Sequence, residues 1–271
     1  MAWLADLLDF RLFFVAALLF VPLERLFAAN KAQKAMRPQW TLDLVYVFVN
    51  GIVIRLGLVA VATLLLAASP VLVPAPVRDA VAAQPVWLQA IEVLLLADLG
   101  LYWAHRAFHA VPALWRMHQV HHSIEHMDWL AAHRVHPIDQ VLTKTASFLP
   151  CFALGFSEMA IAIFGLVFHF QALLVHANIR LGYGLLDRLL VSPDFHHWHH
   201  ERAPDAWDKN FAAQFSLWDR LFGTWFLPDD RKAGRFGIEQ DLPDDYAGQL
   251  LYPFRPAALT PPGSAAARGI G

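Results

Sequence analysis

The sequence has one cysteine in 271 residues, Cys151. No intrachain disulfide can form, and neither a tetrathiolate zinc site nor a cysteine-held iron–sulfur cluster is available. Cys151 sits in an apolar run and reads as a small buried hydrophobe. Charge is scarce as well. Asp, Glu, Lys and Arg make up 16% of the chain, where a soluble domain has about a quarter. Hydrophobic residues make up 57%, with ten Trp and twenty Phe, and the charge deficit points to a membrane protein. The net charge of −2 gives no basis for a nucleic-acid partner. No internal repeat is present apart from a recurring histidine pattern.

Five apolar runs follow one another at 10–23, 43–66, 87–104, 141–156 and 159–177. A cleaved leader is the competing reading of the first. It is weaker, because Asp6 and Asp9 replace the basic start and no small-residue cleavage site follows. A full span needs about 20 residues. The fourth run is short, so the last pair could form a tight hairpin that dips into the bilayer. The loop 24–41 carries Arg25, Lys31, Lys34 and Arg37, whereas the loop 67–86 carries only Arg78 as a cation. The positive-inside rule then puts 24–41 in the cytoplasm and the amino terminus outside. The third run ends in the cytoplasm, and a returning hairpin brings His176 and residues 180–271 to the same face. The expected fold is all-α: a polytopic helical bundle with a histidine-rich cap at the cytoplasmic face. The expected divisions are 1–86 as N-terminal membrane helices, 87–226 as the catalytic domain and 227–271 as a C-terminal extension. Helices are expected around 114–126 and within 183–200, with Pro193 near the start of the helix bearing His196. Residues 201–226 should pack beneath the site, and the chain after about 256 reads as a disordered tail.

All fourteen histidines lie between residues 105 and 200. His196, His199 and His200 stand at i, i+3 and i+4, as do His118, His121 and His122, and His105 and His109 form an i, i+4 pair. These spacings place rings on one helical face. Neutral imidazole is a common metal ligand. Eight rings in three clusters exceed what one tetrahedral zinc uses, so two metals fit the count better. The ligands do not choose between Fe, Zn, Cu and Ni. A lone His-x-x-x-His pair would be weak evidence; three clusters together are not. His126, His133 and His197 lack this support and read as surface groups or neighbours of the ligands, with His197 off the ligand face. His169 reads as a buried, hydrogen-bonded histidine.

Asp98 lies inside the third apolar run, where a carboxylate is costly and usually functional. With Tyr102, His105 and His109 it forms one helical stripe. It could accept the ring N–H of a ligand histidine or pair structurally with Arg55 or Arg106. Phe164, Phe168, Ala172 and Val175 form a stripe on the hairpin's second arm. They would line a lipid-binding cleft, or they would be ordinary helix packing.

The segments His105-Arg-Ala-Phe-His109, His118-Gln-Val-His121-His122 and His196-His-Trp-His199-His200 resemble the histidine boxes of the fatty acid hydroxylase/sterol desaturase superfamily. Flanking segments agree: Asp98 to Arg106, Arg134-Val-His136-Pro137, His176-Ala-Asn178, Asp208-Lys-Asn210-Phe211 and Trp218-Asp219 to Thr224. Ala212 departs from the glycine that many members carry. The resemblance spans about residues 87–226. It implies a membrane-embedded oxygenase with two iron ions that oxidises a lipid C–H bond with O2 and external electrons. Zinc would be a purification artefact. His105, His109, His118, His121, His122, His196, His199 and His200 become ligands by that match, with His176 added from the later motif and His136 as ligand or neighbour. Asp98, Tyr102 and Asn178 are expected beside the ligands. The family includes sterol desaturases, sterol methyl oxidases, fatty-acyl hydroxylases, an alkylglycerol ether monooxygenase and carotenoid hydroxylases. The sequence shows no cytochrome b5 domain, so a reductase, ferredoxin or cytochrome b5-like donor must supply electrons. The rival reading is a non-catalytic membrane protein that binds metal or haem for transport or sensing.

Overall fold

The computed structural model describes residues 11–255. The expected tail after 256 lies outside the described residues. The described residues are mostly helical: α1 (Arg11–Leu26), α2 (Trp40–Val45), a π turn (Tyr46–Asn50), α3 (Gly51–Leu72), α4 (Ala75–Ala82), α5 (Val86–Ala110), α6 (Pro112–His122), α7 (Pro137–Leu154), α8 (Glu158–His176), α9 (Pro193–His199), α10 (Leu217–Leu221) and α11 (Tyr246–Leu251). Among the described residues the only extended pairings are single bridges, Ala28 with Ile179 and Glu201 with Phe236.

Among the described residues, three stretches are long and apolar enough to cross a membrane: Trp40–Val61, Val86–Ala110 and Glu158–His176. Much of their apolar surface points outward, as at Leu56, Val59, Ile91 and Leu166. Helix α1 is shorter but behaves alike, with Leu18 79% exposed. Such surface is stable only against lipid or another apolar partner.

Helix α5 is the central element and packs on α6, α7 and α8. Its contact with α7 is close. Ser147 Oγ donates to the Ala97 carbonyl at 2.7 Å, and Gly100 faces the backbone of Ala146 and Ser147. Small residues let two helices approach where lipid supplies no hydrophobic drive. Helices α7 and α8 form the expected hairpin. Gly155 adopts φ 81° at the end of α7, and Ser157 Oγ caps α8 by accepting from Ala160 N. Cys151 is fully buried between them and α5.

One expected helix is shorter than its sequence pattern, and another starts at Pro193 as expected. The 114–126 helix runs Pro112–His122, and Ser123 Oγ ends it by donating to the Val120 carbonyl. The 183–200 stretch is a 3-10 turn, Gly184–Arg188, followed by α9 alone. Pro193 lacks an N–H and starts a helix more readily than it continues one. Ser192 Oγ caps it by accepting from Phe195 N. Arg37 also departs from expectation. It is 2% exposed and pairs with Asp43 and Asp128, so it is a structural ion rather than a free loop cation.

A Cβ on Gly100 would collide with the Ala146 carbonyl. Overpacking of this kind costs about 1–3 kcal/mol. Gly100→Ala should lower the thermal unfolding midpoint of the purified protein in detergent, whereas Gly51→Ala, where the added atom meets nothing, should leave it near wild type.

Candidate metal centre

Helices α5, α6, α8 and α9 bring nine imidazoles together in two groups. His105, His109, His118, His122 and His199 form the first. His121, His176, His196 and His200 form the second. Within each group the donor atoms all lie within 4.8 Å of one another. Two of the three histidine boxes are split between them, while His105 and His109 both serve the first group. His118 and His122 serve the first group and His121 the second; His196 and His200 serve the second and His199 the first. Each i, i+4 pair thus feeds one group, and the i+3 ring turns to the other.

The distances suit ligands of a common ion. His105 Nε2 lies 3.0 Å from His118 Nε2, and His109 Nε2 lies 3.1 Å from His122 Nε2. In the second group His176 Nε2 lies 3.1 Å from His121 Nε2 and 3.2 Å from His196 Nε2. Two donors about 2.1 Å from one metal at a right angle stand about 3.0 Å apart. His199 Nε2 and both ring nitrogens of His200 are buried without a hydrogen-bond partner. Orphaned buried nitrogens are costly, and a cation would satisfy them.

The far side of the rings is organised to keep Nε2 free. His105 Nδ1 donates to the Phe211 carbonyl at 2.8 Å. His199 Nδ1 donates to the Lys209 carbonyl at 2.8 Å, His121 Nδ1 to the Arg134 carbonyl at 3.2 Å and His176 Nδ1 to the Ala172 carbonyl at 2.7 Å. His118 Nδ1 reaches Asp139 Oδ2 at 2.7 Å, and His109 Nδ1 reaches Asp208 Oδ1 at 3.3 Å. A carbonyl only accepts, so each ring beside one carries its proton on Nδ1 and presents a lone pair at Nε2. Burial pushes His121, His122, His196 and His200 well below the usual imidazole range and holds His199 at about 3. These rings are neutral at pH 7, as metal ligation requires.

One loop supplies three of those acceptors, and several residues hold it. Asp208 and Asn210 adopt φ 56° and 59°, which Asp and Asn tolerate better than most residues. Asn210 Nδ2 donates to the carbonyls of Phe195 and Phe226. Asp219 accepts from the backbone N–H of Phe211 and Ala212, and from Thr224. Residues 201–226 do pack beneath the site: Phe211 and Ala212 join Tyr102, Val175 and Phe195 in one buried cluster.

Several expected neighbours of the ligands act elsewhere. Asp98 meets neither a histidine nor an arginine; its carboxylate accepts from the backbone N–H of Ala213, Gln214 and Phe215. Tyr102 bonds Thr224 and Arg106, two steps from the rings. Asn178 exchanges hydrogen bonds with Asn30 and receives no ring. His136 stands outside both groups. Its Nε2 donates to the Leu250 carbonyl and its Nδ1 accepts from Ile138 N as the cap of α7, so both nitrogens are used. His197 is off the ligand face but buried, donating to the Ala177 carbonyl. His126 is half-buried. His169 is half-buried and its Nε2 lacks a partner, contrary to the expected bond. Asp139 went unrecognised, although its place three residues after His136 on a proline-started helix marked it as a first-turn carboxylate.

A cavity of about 380 Å³ adjoins both groups, with His105, His118, His121, His176 and His196 in its wall. Phe168, Ala172 and Val175 line it. Phe164 does not. It is 1% exposed and packs with Ala97, Cys151 and Phe148 between helices.

Two adjacent sets of converging imidazoles on a helical scaffold define a histidine-rich candidate metal centre. The fatty acid hydroxylase family model matches residues 90–224. An ornithine lipid hydroxylase of Rhizobium tropici is 31% identical over 170 residues, 63% of this chain and 51% of that protein. An alkylglycerol monooxygenase of Xenopus tropicalis is 34% identical over 147 residues, 54% of this chain and 31% of its own. A Delta(7)-sterol 5(6)-desaturase of Leptosphaeria maculans is 26% identical over 144 residues, 53% of this chain and 38% of its own. The chain therefore spans about half the length of the first of these relatives and less of the others. No solved structure matches it. The chain belongs to the fatty acid hydroxylase/sterol desaturase superfamily.

Removing an outer partner of a ligand histidine typically costs about 10–100-fold in metal affinity. Asp139→Ala should therefore release metal to a competing chelator at least about tenfold more readily than the unaltered protein. Asp139→Asn, which keeps an acceptor oxygen, should fall between the two.

Proposed function

We propose that this protein is a membrane di-iron oxygenase that oxidises a C–H bond of a lipid. The observation that carries the reading is the pair of imidazole groups, five and four strong, facing one cavity. The first five rings would hold one iron and the other four the second. Bound iron would supply the means to activate O2 with two external electrons. In a hydroxylation one oxygen atom enters the C–H bond and the other leaves as water with two protons; in a desaturation both leave as water. Electrons would come from a reductase, a ferredoxin or a cytochrome b5-like donor.

The chain's own residues do the positioning. The carbonyls at Lys209, Phe211, Arg134 and Ala172 hold the imidazole tautomer, and Asp139 and Asp208 add negative charge behind His118 and His109. The four-histidine group would offer its ion fewer ring donors than the five-histidine group, and three of its rings border the cavity. Phe168, Ala172 and Val175 would pack along the hydrocarbon and keep water from it. Helices α5 and α8 both carry their histidines at one end, so the site sits at one membrane face. Arg25, Lys31 and Lys34 are exposed and favour the cytoplasmic side, with the amino terminus outside. A haem-binding role fits poorly, because ring nitrogens 3.0–3.2 Å apart leave no slot for a porphyrin.

Iron-loaded protein given a reductant, O2 and a membrane lipid extract should consume O2 and yield an oxidised lipid. It should bind about two irons per chain and show no Soret band. Absence of lipid-dependent turnover across sterol, acyl and ether lipids, with iron verified, would sink the reading. His121→Ala and His199→Ala should each lose metal and activity, while His197→Ala should keep its metal content. Equal metal loss at His197 and His199 would overturn the ligand assignment.

The cavity wall makes a separate claim. Ala172→Phe should block long-chain lipids with metal content unchanged. Unaltered turnover in that variant would mean that substrate enters elsewhere.

A further inference from the structure

The histidine groups occupy one side of their cavity, and the other side is polar in a different way. Lys144 on α7, His133 in the turn Ala131–His133 and His169 on α8 line it together. All three also line a neighbouring cavity of about 230 Å³, where Arg55 of α3 joins them. Lys144 borders a third space of about 290 Å³, walled by apolar residues such as Leu58, Val61, Phe148 and Phe152. One ammonium therefore stands where three spaces meet.

An ammonium within an apolar bundle normally marks a function and has a partner. Among the described residues, Lys144 forms no salt bridge. The carboxylate that shares its cavity, Asp139, is already engaged by His118 and Thr143. His133 and His169 each hold Nε2 buried with no hydrogen-bond partner, and their rings lie 6.3 Å apart. A cation and two unsatisfied ring nitrogens thus converge from three separate elements. All three can donate a hydrogen bond, and an anionic oxygen can accept from each.

We propose that Lys144, with His133 and His169, holds the acidic group of an anionic lipid while the lipid's chain extends to the histidine groups. This rests on the oxygenase reading above. His169 precedes His176 by seven residues on one helix, roughly 10 Å at 1.5 Å per residue. The carbon presented to the metals therefore lies several bonds from the acidic group. The apolar space beyond Lys144 receives the remaining hydrocarbon. A carboxylate and a phosphate share the required chemistry, and the test separates them.

Binding can be read without turnover. Metal-loaded protein in nonionic detergent is titrated with fluorescent forms of four probes: oleic acid, its methyl ester, phosphatidic acid and diacylglycerol. At least one acid should bind about tenfold or more tighter than its neutral counterpart. Preference for oleic acid over the ester assigns a carboxylate, and preference for phosphatidic acid over diacylglycerol assigns a phosphate. Lys144→Met should abolish the preference with metal content unchanged, and Lys144→Arg should retain most of it. Equal binding of acid and neutral probes by the unaltered protein overturns the proposal. So does a preference that survives Lys144→Met. If Lys144→Met does not fold, the unaltered protein's acid-to-neutral ratio decides, with His169→Leu expected to reduce it. An acid preference that depends on Lys144, without O2 uptake on any lipid by iron-loaded protein, would remove the oxygenase reading and leave the anion site. Lipid turnover with no acid preference would do the reverse.

Discussion

The structure depends on keeping nine imidazole nitrogens bare and facing one another. Neutral rings at this spacing gain little from each other and lose their hydration. Six of them are held from behind, by acceptors at Nδ1. Four of those acceptors are backbone carbonyls, at Lys209, Phe211, Arg134 and Ala172. A carbonyl cannot change its protonation state, so the tautomer it imposes persists over the whole working pH range.

Much of the remaining polar architecture serves to place those carbonyls. Asp219 and Asp98 grip the loop that carries Phe211 from its two flanks. Arg134 is itself immobilised in a buried ion network, with its guanidinium on Asp43 and Gln39 and Arg37 bridging Asp43 to Asp128. Glu24 ties α1 to the backbone of Trp129 and Asn178, just past the end of α8. Buried charges are retained here as struts for backbone geometry rather than for their net energy.

The histidine clusters were legible because helical spacing is a local property. His105 to His122 and His196 to His200 declare their faces within a turn or two. The division of the second and third boxes between two groups was not legible, since it depends on how α6 and α9 rotate against each other. Asp98 misled for a related reason. A carboxylate in an apolar helix announces that it needs donors, and the donors it found are backbone N–H groups more than a hundred residues away. His136 carried a ligand's motif position, yet Pro137 made it the start of a helix and drew its ring into capping. Phe164 and Phe168 share a stripe in sequence, but α8 meets α5 and α7 at one and the cavity at the other. The hairpin, by contrast, was readable from Gly155 and Ser157, because turn chemistry is local too.

The interleaving of donors on single helical turns has a mechanical consequence. His121 lies between His118 and His122, and His199 lies between His196 and His200, so neither helix belongs to one group alone. A shift of α6 or α9 carries donors of both groups with it. The spacing between the two centres is therefore written into the rise of a helix, the stiffest ruler a polypeptide has.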